Sequence, residues 1–381
     1  MGRSKERRVA FPGRKKRPER VLFAAILVIV FHLFLFPYPL GREIVARPRW
    51  AVAVSPSGLQ PGTLPGAQEA GSQDPAGQAS AAAFQLGDRF GFVLDDGAIL
   101  YAGQAPYRVA LSSTGFVSFT RLGTDWILQD RAGRRVAGFS VAGYPLLSPD
   151  GGRVFSVKTD LSGIIEMDRG GAVLWDRDFP TLMTAISVQG DLVLVGLVNG
   201  SLVLLDRHGS PVLERAPGGS RVQVIVGDAA APDGSRIAAV CGIDPQYLAV
   251  FRRAGSTYEP EAQEGLPSAF RREVRMGFSP DSRYLFVEGR AGPGLYDPAG
   301  RTLRWVSLPG SLVGAAFAFG GRVAAFVSRD AGAAQLVIEP MSGIMVCQEG
   351  FPAREVFLGT IGGQLLLGWD GELLKVDVEP M

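Results

Sequence analysis

Seven glycines recur at one structural phase along this chain: Gly97, Gly133, Gly171, Gly209, Gly255, Gly300 and Gly343, separated by 36, 38, 38, 46, 45 and 43 residues. Short apolar runs rich in Val, Leu, Ile and Phe flank each of them. A second series of turns interleaves with the first, at Gly115, Gly152, Gly190, Gly234, Ser282, Gly321 and Gly363, each preceding a β-rich run. The gap from a turn of the second series to the next of the first is 18 to 22 residues throughout. A period near 40 with two turns per unit is what a β-propeller requires: each repeat is a four-stranded blade (strands a, b, c and d) with an a–b turn and a c–d turn. Gly 50 and Pro 26 supply the turn formers, and 46% hydrophobic residues supply a large core. Beyond residue 83 no long stretch sustains a 3.6-residue period, so helical repeats are excluded.

The turns have their own chemistry. Ser148-Pro149-Asp150, Ala231-Pro232-Asp233 and Ser279-Pro280-Asp281 are Pro-Asp turns of the a–b series. Asp130, Asp168, Asp206 and Asp297 each stand three residues before a c–d glycine. These c–d units resemble the repeats of the pyrroloquinoline-quinone-like (quinoprotein-type) propeller superfamily, which includes an outer-membrane assembly lipoprotein; the Ser-Pro-Asp turns resemble those of bacterial WD40-like propellers. The resemblance covers residues 89–379 and implies a fold, not an activity.

Counting turns gives seven blades within residues 84–381. The chain ends at Met381, where the next c–d turn would fall, so residues 98–102 are expected to close the ring as the outer strand of the last blade. Residues 89–94 are then surplus.

A different chemistry precedes the repeats. Residues 1–20 carry nine Lys or Arg against Glu6 and Glu19. An apolar stretch begins at Val21 and, with Pro37-Tyr38-Pro39, reaches Leu40; three arginines, Arg42, Arg47 and Arg49, precede the first small-x-small site at Ala51-Val52-Ala53. The reading is one uncleaved transmembrane anchor over 21–40, amino terminus cytoplasmic, propeller periplasmic or otherwise outside the inner membrane. Residues 41–83 read as a Pro/Gly/Ala-rich disordered linker. The net charge of +2 is misleading, because the nine cations and two anions of the first 20 residues leave thirty cations against thirty-five anions. A propeller domain at −5 is not a nucleic-acid binder.

Catalytic candidates are scarce. Of two histidines, His32 lies in the apolar stretch and His208 in a c–d turn. Cys241 and Cys347 fall two blades apart, and both read as small apolar residues rather than a disulfide. The b–c loops hold Arg121, Lys158, Asp160, Asn199, Asp244, Arg290, Arg329, Asp330 and Asp370, a mixed set with no histidine and no carboxylate cluster. No cofactor, metal or catalytic residue is expected. The function expected is therefore a membrane-anchored, non-catalytic platform for an envelope protein partner; the alternative is a lactonase-like or sugar-acting enzyme, or a small-ligand binder, using the channel. The longest connection on the channel-entrance face, 261–272, is the candidate partner loop, with Leu266 and Phe270 as apolar anchors between Glu261 and Glu264 and the basic Arg271 and Arg272.

Overall fold

The computed structural model describes residues 44–54, 80–120, 124–267, 269–343 and 347–380. These residues build eight sheets, seven of four strands and one of three. Blade 1 holds Ala81–Leu86, Arg89–Leu94 and Ile99–Gln104. Blades 2 to 7 follow as uninterrupted four-strand meanders over 108–140, 144–178, 183–215, 225–265, 276–305 and 311–352. Blade 8 takes Val356–Ile361, Gln364–Trp369 and Glu372–Pro380 from the end of the chain and Ile44–Ala53 from its beginning.

The ring is held by aliphatic and aromatic side chains between neighbouring sheets. Strands b and c are packed on both faces, which is why they read as unbroken apolar runs rather than alternating ones: Val193–Leu197 and Val323–Val327 are buried throughout. Phe155 meets Val193 and Val195 between blades 3 and 4, and Val250 meets Leu285 and Tyr296 between blades 5 and 6. Phe84 and Leu86 meet Leu366 and Leu373 between blades 1 and 8, which completes the circle.

The turns fold as their residues dictate. Asp130 Oδ1 accepts the backbone N–H groups of Ala132 and Arg134, Asp168 those of Gly170 and Ala172, and Asp206 those of His208 and Ser210. Of the c–d glycines, Gly97, Gly133, Gly171 and Gly209 lie against the outer strand of the blade before them. A Cβ on Gly209 would lie 2.6 Å from the Trp175 ring, and one on Gly133 would lie 2.5 Å from Tyr101. Gly97 makes the same contact with Trp50 of the closing strand.

Three expectations are corrected. The propeller has eight blades, not seven. Each series of seven turns marks a different set of blades: the c–d turns mark blades 1 to 7, and the a–b turns mark blades 2 to 8. Blade 8 lacks a c–d turn because its strands c and d come from opposite ends of the chain. Blade 1, as described, begins at the strand in b phase. Second, the ring is closed by Ile44–Ala53 and not by residues 98–102, so the assumed linker contributes an outer strand. With two arginines and Pro48 that strand resembles a polar flank, and an outer strand needs to bury only one side, here Trp50 and Val52. Third, Arg89–Leu94 is not surplus; it is strand c of blade 1. Among the described residues no helix is long and apolar enough to cross a membrane. The expected anchor at 21–40 lies outside the described residues.

Candidate functional site

Strand order places the b–c and d–a connections on one face of the ring, the channel entrance, and the a–b and c–d turns on the other. The candidate loop 261–272 begins as strand: Glu261 and Glu264 belong to Thr257–Gly265, the outer strand of blade 5. Glu261 is engaged by Arg236, whose Nε and Nη2 donate to its two oxygens at 2.7 and 3.1 Å. Leu266 and Phe270 are half-buried and pack on the core between blades 5 and 6. Gln246 fixes Phe270 by accepting its N–H at 3.0 Å and donating to its carbonyl at 3.1 Å. The guanidinium groups of Arg272 and Arg290 lie 4.6 and 5.6 Å from the Phe270 ring centroid. Arg272 in turn donates to both oxygens of Glu288, which is only 2% exposed, at 2.7 and 3.0 Å. Glu288 raises the Arg272 pKa by holding its charged form. Of the six residues singled out from the sequence, four therefore serve the fold locally (Glu261, Leu266, Phe270 and Arg272), Glu264 is half-buried at the strand's end, and Arg271 is exposed.

The same face carries a feature that loop length did not reveal. Leu161, Leu182, Val198 and Val222 are 40, 51, 43 and 45% exposed. Leu161 lies in the b–c turn of blade 3, Leu182 in the connection to blade 4, Val198 in the b–c turn of blade 4, and Val222 in the connection to blade 5. Backbone bonds tie these segments together: Met183 N–H donates to the Leu161 carbonyl and Val198 N–H to the Leu182 carbonyl, both at 2.9 Å. Gly200 abuts Gln223, the neighbour of Val222, and the Val222 carbonyl accepts from Ile243 N–H at 3.2 Å. The four side chains thus form an arc across three consecutive blades, on loops where polar residues are the norm. The readable signal was residue type at turn positions, not length.

Charges beside the arc are paired with one another. Lys158 Nζ contacts Asp176 and Asp178 at 2.8 and 2.6 Å, and both carboxylates raise its pKa. Arg221 contacts Asp244 at 2.6 Å. Asp160 is held below the usual carboxylate range by bonds from the Ser162 hydroxyl and N–H. Among the described residues no group of three His, Cys, Asp or Glu side chains is placed to hold a metal ion. Both cysteines are free, and burial pushes the Cys241 thiol up to about 12, far from a nucleophile's range. His208 sits on the opposite face, its N–H donating to Asp206.

Eight blades, with exposed apolar side chains on the face of the b–c and d–a connections, define a β-propeller. The chain belongs to the beta-propeller protein family, whose model matches residues 13–381. An uncharacterized protein of Treponema pallidum (strain Nichols) is 22% identical over 309 residues, covering 79% of this chain and 78% of its own. Among solved structures, BamB from Moraxella catarrhalis superposes with a TM-score of 0.58 at 16% identity, over 87% of this chain and 98% of that one, a likeness of fold. The β-propeller domain of Myceliophteria thermophila Cps50 (Swd1) gives a TM-score of 0.48 at 14% identity, covering 72% of this chain and 96% of that one.

Proposed function

We propose that this protein is a non-catalytic β-propeller of the bacterial cell envelope that docks a protein partner on the channel-entrance face of blades 3 to 5. The observation that carries this reading is the arc of Leu161, Leu182, Val198 and Val222. Four large apolar side chains, each at least 40% exposed on hydrogen-bonded neighbouring loops, form a patch that water disfavours and a partner would cover. Charges of both signs surround it, Lys158 between Asp176 and Asp178 and Arg221 against Asp244, as in the polar rim of a protein interface rather than the positive field of a polyanion site. The basic-then-apolar amino terminus supports an envelope location, with the anchor over 21–40 and the propeller outside the cytoplasmic membrane.

Changing Leu182 and Val198 together to aspartate tests it. Two charges in the middle of an apolar contact cost a hot spot's worth of affinity, so co-purification of the partner with full-length protein from solubilised membranes is expected to fall at least ~10-fold. Thermal melting should stay within about 2 °C, since both side chains face solvent. Undiminished recovery of the partner would refute docking at this face.

A further inference from the structure

We infer that Leu161 is the anchor of the docking surface, kept in a left-handed backbone conformation that the fold alone would assign to glycine or asparagine. The inference rests on the docking reading above and adds which residue leads and what it must meet. The b–c turns of blades 3 and 4 open in the same way, although the first closes one residue later, Lys158 N–H donating to the Gly163 carbonyl where Leu197 N–H donates to that of Ser201. Leu161 N–H donates to the Lys158 carbonyl at 2.9 Å, and Gly200 N–H donates to the Leu197 carbonyl at 3.0 Å. Asp160 Oδ1 accepts from Ser162 N–H as Asn199 Oδ1 accepts from Ser201 N–H, each at 3.0 Å. Leu161 therefore occupies the position of Gly200. Both have positive φ, +59° and +85° respectively.

Glycine adopts this conformation freely, whereas a leucine Cβ crowds the following carbonyl there. A side chain at such a position is worth its backbone cost if it packs. Leu161 is instead 40% exposed, and its nearest apolar company on the arc is itself exposed. Its turn is also wedged into the neighbouring blade, with its carbonyl bonded to Met183 N–H and the Ser162 carbonyl to Phe179 N–H at 2.7 Å. The side chain is thus projected from a fixed support, the arrangement of a rigid apolar anchor. The occupant is a different protein that presents apolar side chains to the arc. Lys158 and Arg221 are outnumbered by Asp176, Asp178 and Asp244, a negative balance that does not attract a nucleic acid or an anionic lipid surface.

The test replaces Leu161 with asparagine, which tolerates left-handed backbone, and separately with glycine, in full-length protein carrying a photo-crosslinking residue at 182 or 198 and expressed in cells. Expected is a crosslinked adduct to a protein of other mass at both probe positions, reduced at least ~10-fold by Leu161→Asn and by Leu161→Gly. Melting of the Leu161→Asn protein should be unchanged or raised by about 1–2 °C. Adducts that persist undiminished in both variants would overturn the anchor role and leave the docking face standing. A lower melting temperature in both would make Leu161 structural and also overturn it. Adducts at twice the chain's own mass would assign the surface to a second copy instead. No adduct at either probe position would overturn the docking face itself.

Discussion

Removal of residues 44–53 is expected to open the ring and lower the melting temperature of the whole propeller by at least about 5 °C, with aggregation following. The closing strand touches two blades at once. It pairs with Glu372–Pro380 in blade 8, and Val54 N–H donates to the Gly371 carbonyl at 2.7 Å. Toward blade 1, the Trp50 ring covers Gly97, and its indole N–H donates to the Asp95 carbonyl at 2.8 Å. Losing the strand bares the edge of Glu372–Pro380 and uncovers Leu373 and Val93, which are fully buried. Burial of a few such side chains is worth about 1.5–3 kcal/mol each, so the cost is several kcal/mol. In a ring the loss is not confined to an end, because each blade is packed between two others. Trp50→Ala should show a graded version of the same effect. A deletion variant that melts like the intact chain would contradict closure by this strand.

Asp228→Asn is expected to raise stability above neutral pH and to flatten its pH dependence. Asp228 sits on the inner strand of blade 5, 8% exposed, opposite Ala239. Neither of its carboxylate oxygens nor the Ser187 hydroxyl beside them has a partner of good geometry. Burial raises its pKa from 3.8 to about 8, helped by the charge on Glu273 and opposed by Ser187 and the Gly196 backbone. The sign follows from proton counting. Between pH 4 and 8 the folded state keeps a proton that the unfolded state has released, so stability falls as pH rises through that window. At pH 8 to 9 the cost is on the order of a few kcal/mol. Asparagine is neutral at every pH and of the same shape, so the variant should melt several degrees higher at pH 8.5 and nearly level with the parent at pH 4. A variant less stable than the parent at pH 8.5 would show that the ionised carboxylate is tolerated where it lies.

How much of this was legible depends on what each element needs from its residues. The repeat was plain because its clearest c–d turns join an Asp that accepts two backbone N–H groups to a glycine that lies against a neighbouring outer strand, as at Asp168 and Gly171. The blade count was not, because closure separates strands c and d of blade 8 by most of the chain and erases the turn between them. Ile44–Ala53 gave no warning, since its arginines lie on the exposed side of an edge strand. At the candidate site, length pointed to 261–272, where the extra residues prove to be strand and a packed Phe270. The exposed arc escaped notice because Leu and Val carry the same letters outside a core as inside one. Only the comparison of turn with turn, Leu161 against Gly200, sets it apart.

Hydrogen–deuterium exchange of the full-length protein, alone and with its co-purified partner, bears most directly on docking at the entrance face. Partner binding should slow exchange at residues 158–162, 181–183, 198–201 and 221–224 while leaving the c–d turns at 130–134, 168–172 and 206–210 unchanged. Protection confined to those c–d turns, with the entrance loops exchanging as in the free protein, would contradict it.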